Sequence, residues 1–484
     1  MTGPTILEAM TDEDALGPWF EGDSWKAWRV VLKAAFGLPL AEDELPIFDQ
    51  IAGGRKPPGQ RVRELWIVVG RRGGKDSIVS GIATFVAAIE EAHIGRLRPG
   101  EKATVACIAS DRDQAKIVLS YIQAMFAEHD DLRAKVLSET RRGLELDNEV
   151  EILVTTNNFR AVRGRAVLLA ILDECAFYRD ENSASPDKET YSALRPGLST
   201  LAPESMIVGI SSPYKKSGLL YEKYQKHFGK ESDRVLVIQA PSIVMNPTLD
   251  PIEVEEAMEE DPEKAKAEWL AEFRGDLTDF ISRELVEAAT DQDVIVRPFI
   301  SGKRYVGFAD VAGGTGKDSF TAAIGHAEGD VAVLDAIFER RPPFNPTEVA
   351  KEVSDLLRAY GVREVTADRY AVGFVIDAFK TNGITYKASE LDRSQIYLEA
   401  LPLFTAGRVR LVDDKRMKAQ FVALERRTYS TGKDRVNHPE GGHDDVSNAA
   451  AGVLTLLRLK RSTYTLAYVN DDANDQKRAL AKGF

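Results

Sequence analysis

The sequence contains little cysteine: Cys107 and Cys175 are the two cysteines among 484 residues. Two cysteines in strand-like contexts supply neither a disulfide framework nor a zinc site, and they favour a reducing compartment. No run of about 18 apolar residues is present, so no membrane span is expected. Residues 1–21 are acidic and lack a hydrophobic core, so no signal peptide is expected.

An excess of positive charge is also missing, because the formal net charge is −13. This value argues against a surface coated with phosphate-binding groups, but local basic patches and metal ions still permit nucleic-acid binding. The composition, 44% hydrophobic and 29% charged, is that of a soluble globular protein. A chain of this length predicts two domains.

The first half alternates apolar segments with helical patterns, which predicts an α/β fold. Residues 103–109 and 166–172 are apolar without polar alternation. Such runs are typical of strands buried on both faces, so we expect a mostly parallel, doubly wound sheet.

Residues 65–80, LWIVVGRRGGKDSIVS, run from an apolar strand through a glycine-rich turn into a helix start. This order is typical of a P-loop (Walker A), although an ordinary glycine-rich loop is an equal alternative for the stretch alone. Val69 replaces the first motif glycine, and Asp76 replaces the magnesium-binding hydroxyl, with Ser77 one place late. We expect Ser77, or neither residue, to contact magnesium. The predicted ATP-binding residues are Gly70, Arg71, Arg72, Gly73, Gly74, Lys75, Asp76, Ser77 and Asp173.

A buried strand that ends in two acids, AVLLAILDE at residues 166–174, is the predicted Walker B strand. ATP hydrolysis needs a carboxylate for hydrated Mg²⁺, here Asp173, and a base or water-orienting group, here Glu174. The alternative is a buried strand that ends in two acids by chance. The preceding lysine loop favours the ATPase interpretation.

Arginines and serines near these motifs are further candidates. Arg71 or Arg72 is the preferred sensor of the nucleotide state, whereas three arginines before the acidic strand suit catalysis or a DNA-facing surface. Two roles fit Ser211 and Ser212, at the end of the next strand. They sense the γ-phosphate and couple hydrolysis to motion, or they form an ordinary helix cap or turn. The three arginines are Arg160, Arg163 and Arg165.

The second half carries separated aspartates: Asp310 in a first strand, Asp368 at a later strand end, and Asp444-Asp445 before the last helix. A strand meander, a strand–helix alternation and a final helix that returns acids to the sheet form a ribonuclease H-like arrangement. In it, aspartates converge on two metal ions about 4 Å apart. His443 suits a metal or phosphate contact and a surface position equally.

A second GKDS, at residues 316–319, looks like another P-loop. An alternating segment follows it instead of a helix. Since a hairpin turn offers no helix N-terminus to phosphates, we do not expect a nucleotide here.

A P-loop ATPase followed by a ribonuclease H-like nuclease resembles the large terminase subunit of tailed bacteriophages, a DNA-packaging ATPase and nuclease. The order of the motifs carries the resemblance: GRRGGKDS, RAVRGR, AVLLAILDE, MIVGISSP, MNPTLDP, FADVAGGTGKDS, VTADRY and GGHDDVSNAAAG. The resemblance implies an N-terminal ASCE-type P-loop ATPase with a mostly parallel sheet and a C-terminal ribonuclease H-like nuclease with a mixed sheet.

The resemblance also implies roles and partners. Lys75, Asp173 and Glu174 would carry ATP hydrolysis with Mg²⁺. A second set would hold two Mg²⁺ or Mn²⁺ ions for cleavage, namely Asp310, Asp368 and Asp445, with Asp444 as a substitute. The implied partners are double-stranded DNA, a procapsid portal protein, a small terminase subunit and further copies in a homo-oligomeric ring, with no membrane. The implied location is the cytoplasm of an infected bacterium, docked transiently on the procapsid.

The expected domain organisation follows these motifs. The expected parts are an ATPase domain at 1–275 with a helical preface at about 1–60, a linker at 276–300, a nuclease domain at 301–461 and a flexible tail at 462–484. Two other functions remain open: a helicase- or repair-type ATPase fused to a nuclease, and a DNA-bound scaffold with an inactive P-loop.

Overall fold

The computed structural model describes residues 3–157, 162–179, 185–367, 373–429, 432–439 and 441–458. These residues form two compact units, the first ending at Asp276 and the second beginning at Leu277. Within these ranges, no helix is both long and apolar enough to cross a bilayer. Asp368, Arg160 and the predicted tail at 462–484 lie outside the described residues.

The first unit is built on an eight-stranded sheet in the order β3-β4-β5-β2-β6-β7-β1-β8. The six strands from β5 to β8 are parallel, and β3 and β4 extend that sheet as antiparallel strands. The strands are β1 (Glu64–Val69), β2 (Ala103–Ala109), β3 (Val136–Thr140), β4 (Gly143–Leu146), β5 (Val150–Thr156), β6 (Ala166–Asp173), β7 (Met206–Ser211) and β8 (Val235–Ala240). Because β7 lies between the loop strand β1 and the acidic strand β6, the predicted ASCE-type fold is confirmed.

Helices cover both faces of this sheet. On β1, Leu65 and Ile67 pack into one hydrophobic core, and Trp66 and Val68 into another on the opposite face. The apolar strands are therefore buried on both sides, as their composition predicts. The helices are α1 (Ile6–Thr11), α2 (Lys26–Ala35), α3 (Leu45–Ala52), α4 (Lys75–Thr84), α5 (Arg112–Glu128), α6 (Asp130–Ala134), α7 (Pro186–Thr200), α8 (Leu219–His227), α9 (Ser242–Met245), α10 (Pro251–Glu260) and α11 (Pro262–Trp269).

The second unit contains a mixed six-stranded sheet in the order β14-β13-β10-β11-β12-β15 and a small antiparallel sheet, β17-β16-β9. β10, β11 and β12 form an antiparallel meander, and β13 and β14 continue parallel to β10. This order confirms the predicted ribonuclease H-like fold. The strands are β9 (Leu277–Asp279), β10 (Tyr305–Asp310), β11 (Phe320–Glu328), β12 (Val331–Arg340), β13 (Glu364–Ala367), β14 (Thr385–Ala388), β15 (Val409–Arg410), β16 (Glu425–Thr428) and β17 (Asp434–Asn437).

The last described helix lies directly on the central strand of this sheet. A Cβ atom on its residue Gly452 would come within 2.3 Å of the Phe308 ring, so glycine allows the close approach. The N-terminus of this helix is thereby held near the end of β10. The helices of the unit are α12 (Arg283–Ala288), α13 (Pro346–Ala359), α14 (Gly373–Thr381), α15 (Arg393–Thr405), α16 (Lys415–Ala423) and α17 (residues 445–458).

The stretch predicted as a linker, 276–300, contributes regular structure to the second unit instead. β9 pairs with β16, and Ser282 caps α12. The stretch is polar on average, but three of its apolar side chains are buried in the core of the second unit. These are Phe280, Ile281 and Val286.

Candidate nucleotide and metal sites

The loop between β1 and α4 is fixed by its surroundings. A Cβ atom on Gly70 would lie 2.2 Å from Ser242 Oγ and 2.8 Å from the Glu268 carbonyl oxygen, so only glycine fits. Gly74, immediately before α4, has φ +83°, a left-handed conformation that favours glycine. The motif expects its first glycine at the position of Val69. In this loop Gly70, one residue later, allows the close backbone approach.

Side chains from outside the loop bind its carbonyl groups. Trp28 Nε1 donates to the Gly73 carbonyl at 2.8 Å, and Ser242 Oγ and Asn246 Nδ2 donate to the carbonyls of Arg71 and Arg72 at 2.6 and 2.9 Å. Within the described residues, the N–H groups of Gly73 and Gly74 have no acceptor. Free N–H groups at a helix N-terminus are what a phosphate group requires.

Trp28 is a part of this site that sequence reasoning missed. Its side chain is completely buried, and its indole N–H fixes the loop. The available signal was that a buried indole N–H needs a hydrogen-bond partner.

Lys75 begins α4, and 7% of its surface is exposed. Its Nζ donates to the Gly70 carbonyl at 3.1 Å and to Ser212 Oγ at 3.0 Å, and it lies 3.3 Å from Glu174 Oε1. The ammonium group therefore lies between the loop and the ends of β6 and β7. The structure brings together three residues that the sequence placed in separate motifs.

Glu174 follows β6 in a left-handed conformation, φ +47°. Its Oε2 accepts hydrogen bonds from Ser211 Oγ at 2.9 Å and from the Ser212 N–H at 3.1 Å. An uncommon backbone conformation and two donors hold this carboxylate in place. The two serines predicted for coupling therefore contact the predicted base directly, and Ser212 also contacts Lys75.

Asp173 ends β6 and is 1% exposed. Burial raises its pKa well above the usual range for a carboxyl, and the charges of Glu174 and Asp76 raise it further. Its Oδ1 atom has no hydrogen-bond partner among the described residues. A buried carboxylate oxygen without a partner is the group that a bound cation would satisfy.

Asp76 also faces this cluster. Gln114 Nε2, from the first turn of α5, donates to Asp76 Oδ1 at 2.7 Å and to Asp173 Oδ2 at 2.9 Å. Burial raises the pKa of Asp76, and the charge of Glu174 adds to the rise, while that of Lys75 opposes it. Ser77 makes no side-chain hydrogen bond within the described residues. Gln114 was not predicted, although it stands in the helix turn that follows the end of β2.

The predicted arginines differ in their positions. Arg71 is exposed and pairs with Glu268 of α11 at 3.2 Å, and Arg72 is exposed as well. Arg165 pairs with Glu151. None of these contacts directs a guanidinium group to Asp173 or Glu174 in the described structure.

In the second unit, Asp310 ends β10 and Asp445 begins α17. Asn448 Nδ2 donates to Asp310 Oδ2 at 2.7 Å, and the Ser319 N–H donates to Asp445 Oδ2 at 2.9 Å. Burial raises the pKa of Asp310 to about 7 and that of Asp445 to about 6, and the charge of Asp445 contributes to the rise at Asp310. Two interacting carboxylates at one sheet edge form the centre of a candidate metal site.

Asp444 is engaged differently from its neighbour. It is 1% exposed, with Arg393 Nη1 2.9 Å from its Oδ1 and Tyr397 Oη 3.0 Å from its Oδ2. Both oxygens are bonded to α15, so Asp445 has the freer carboxylate. The structure favours Asp445 over its predicted substitute, because adjacent residues at a helix start point in different directions.

Asp318 and His443 complete a cluster with Asp445. One potential ligand atom from each lies within 4.8 Å of the other two, and His443 Nδ1 is 3.3 Å from Asp318 Oδ1. Asp318 belongs to the second GKDS, which ends immediately before β11 and has no helix after it. That segment therefore supplies a carboxylate to the candidate metal site, a role that its glycine-rich pattern concealed.

In a comparison with known families, residues 47–270 match the family model described as "Uncharacterized protein MJ0330, N-terminal P-loop domain". The first unit is a P-loop domain. The match begins after α2, so Trp28 lies outside the matched segment of the P-loop domain. A search of curated proteins found no match.

Comparison with solved structures shows similarity to phage large terminases. The HK97 bacteriophage large terminase is 15% identical with a TM-score of 0.38, and the match covers 90% of this chain and 100% of that one. For the large terminase of a second, thermophilic bacteriophage, the identity is 10%, the TM-score 0.39 and the coverage 90% and 99%. The nuclease of the thermophilic phage G20c large terminase with bound magnesium is 17% identical, with a TM-score of 0.30 and coverage of 36% and 96%.

Proposed function

We propose that this protein is a viral DNA-packaging motor in which ATP hydrolysis drives double-stranded DNA into a procapsid and a two-metal nuclease cuts the concatemeric genome. The observation that carries the ATPase half is the meeting of Lys75, Asp173 and Glu174 beside a loop whose Gly73 and Gly74 N–H groups have no acceptor among the described residues. The order of motifs along the chain supports the packaging assignment.

The residues present fit a magnesium–nucleotide complex. The tight backbone at Gly70 shapes a cradle for phosphates. Asp173 Oδ1, which has no hydrogen-bond partner in the described part of the chain, is suited to a cation. When bound, Mg²⁺ neutralises charge on the β- and γ-phosphate oxygens. A structure of the second bacteriophage's large terminase is a complex with ADP, and we propose the same ligand class here because of the residues above.

Each residue of the site has a proposed task in hydrolysis. Lys75 binds the terminal phosphates, and its bonds to Gly70 and Ser212 preset the ammonium position. Glu174 orients and deprotonates the attacking water. Ser211 and Ser212 hold Glu174, and through Ser212 the end of β7 contacts both the lysine and the base. This shared contact is the proposed link between hydrolysis and motion.

For the nuclease half, Asp310, Asp445 and Asp318, with His443, would hold divalent ions, together with Asp368 from the sequence prediction. Such ions, when bound, activate water and stabilise the leaving oxygen of a phosphodiester. Structures of the G20c large terminase nuclease contain magnesium or cobalt, and we propose Mg²⁺ or Mn²⁺ here. The proposed partners remain DNA, a portal protein, a small terminase subunit and a homo-oligomeric ring.

Two substitutions separate the activities. Lys75→Ala should abolish ATP hydrolysis and Asp310→Ala should abolish metal-dependent plasmid cleavage, each sparing the other activity. Lys116→Ala, a change of an exposed lysine on α5, is the matched control and should alter neither. Absence of ATP turnover in the wild-type protein, alone or with DNA and portal-bearing procapsids, would contradict the motor and favour the scaffold.

Stimulation by procapsids distinguishes a packaging motor from a helicase-type ATPase. We expect portal-bearing procapsids to raise the ATPase rate, with procapsids that lack the portal as the control. A rate that responds to DNA and not to the portal would instead support a helicase- or repair-type enzyme.

A further inference from the structure

We propose that Asp76 takes the place of the usual serine or threonine hydroxyl at the magnesium site, so that the ion is bound by two carboxylates, Asp76 and Asp173, positioned by Gln114. This inference rests on the proposed ATPase function and reverses the sequence-based expectation that Ser77, or neither residue, contacts magnesium. It assigns Gln114 a positioning role, since its amide contacts both carboxylates and no reacting group.

The geometry around Gln114 is the first argument. One amide nitrogen, Nε2, has two hydrogens and donates to Asp76 Oδ1 at 2.7 Å and Asp173 Oδ2 at 2.9 Å. Two oxygens bonded to one nitrogen lie within about 6 Å of each other. A Mg²⁺ ion keeps several of its waters, so it can contact both carboxylates either directly or through these waters.

The second argument is the partnerless oxygen of Asp173. This side chain is 1% exposed, and its Oδ2 is bonded to Gln114 while its Oδ1 has no partner among the described residues. A buried carboxylate oxygen without a donor is costly unless a cation occupies the site in the working protein. The free oxygen lies in the same cluster as Asp76.

The third argument is charge balance. The cluster contains three carboxylates: Asp76, Asp173 and Glu174. In the described structure, Lys75 is the one cationic side chain paired with any of them, and its partner is Glu174. Asp76 and Asp173 thus form an acidic pair without a paired cation. Because cation affinity rises with the number of charged ligands, this site should bind the ion before the nucleotide arrives.

The experiment measures Mn²⁺ binding to the full chain without nucleotide, by titration followed by electron paramagnetic resonance. An Asp310→Asn, Asp445→Asn background removes the nuclease ions. In that background, Asp76→Ser should weaken Mn²⁺ binding about tenfold, since one charged ligand is lost. Asp76→Asn should weaken it similarly while preserving an acceptor for Gln114.

Three further variants complete the design. Gln114→Ala should weaken Mn²⁺ binding by a smaller factor than Asp76→Ser. Gln114→Asn, which keeps an amide, should retain part of the Mn²⁺ affinity that Gln114→Ala loses. Ser77→Ala should change nothing, and Asp113→Ser, an exposed change on the same turn of α5, is the matched control. Circular dichroism verifies that each variant is folded.

The outcomes separate this inference from the ATPase proposal. If ATP is hydrolysed but Ser77→Ala, rather than Asp76→Ser, weakens Mn²⁺ binding, the inference is wrong and the ATPase stands. If Asp76→Ser weakens Mn²⁺ binding but the wild-type protein never hydrolyses ATP, the two-carboxylate site stands and the ATPase proposal fails. Unchanged Mn²⁺ binding in both Asp76 variants would also overturn the inference.

Discussion

Asp310→Asn should stabilise the metal-free second unit at high pH and have no effect at low pH. Burial raises the pKa of Asp310 from 3.8 to about 7. Between these pH values the folded protein binds a proton that the unfolded chain does not, so stability falls as pH rises through the window. Above the folded pKa the wild-type protein carries a buried charge that asparagine avoids.

The magnitude follows from the size of the pKa shift. A shift of about three units corresponds to about 4 kcal/mol at 25 °C, which is an upper limit because water penetration and local relaxation reduce the cost. The variant retains an amide oxygen that accepts from Asn448 Nδ2, so no new unsatisfied group is created at this contact. We therefore expect about 2–4 kcal/mol of stabilisation at about pH 8, and none at about pH 3, which is below both pKa values.

Hydrogen exchange with mass spectrometry, on peptides from β10 and α17 in the presence of a chelator, measures this difference. Intrinsic fluorescence is unsuitable, because all five tryptophans lie in the first unit. Asp330→Asn, an exposed change in the β11–β12 turn, should have little effect at either pH. Added Mg²⁺ should stabilise the wild-type unit more than the variant. Equal protection of wild type and Asp310→Asn at pH 8 would refute the reasoning.

Four other substitutions, and one control, test the assigned contacts. Trp28→Phe removes the donor to the Gly73 carbonyl and should weaken ATP binding about 5- to 30-fold, because a buried carbonyl loses its partner. Nucleotide titration measures this loss of affinity, with Trp66→Phe as the control. Ser211→Ala should lower kcat for ATP about tenfold with KM unchanged, since Glu174 keeps one of two donors; equal kcat would contradict the role of Ser211. Asp444→Asn should reduce thermal stability more than plasmid cleavage, whereas Asp445→Asn should abolish cleavage, and the reverse pattern would show that the ligand is misassigned.

The fold was predictable because it depends on hydrophobic patterns that extend over whole segments of the chain. Unbroken apolar runs at residues 103–109 and 166–172 become parallel strands covered on both faces. Since parallel strands end at a common edge, a lysine after β1 and acids after β6 were expected to meet, and they do. The linker prediction failed because Phe280 and Ile281 are embedded in a polar stretch and their core partners are distant in sequence.

The parts of the sites that were not predicted depend on side-chain direction. The choice between Asp444 and Asp445 rests on the first turn of α17, where one residue faces α15 and the next faces Ser319. Asp318 reaches His443 from the second GKDS, a loop that resembles a P-loop but was expected to bind no nucleotide. Gln114 lies 38 residues from Asp76, and a glutamine in a helix turn gives no local signal of that contact.

The bond from Trp28 to Gly73 has a consequence for the borders of the ATPase. The matched family segment begins at residue 47, downstream of α2, so it leaves out the donor that holds the phosphate loop. We therefore expect the smallest piece of this chain that binds nucleotide at full strength to start before Lys26. A protein with only the matched P-loop segment would have the chemical groups of the site but would lack the helix that holds its loop.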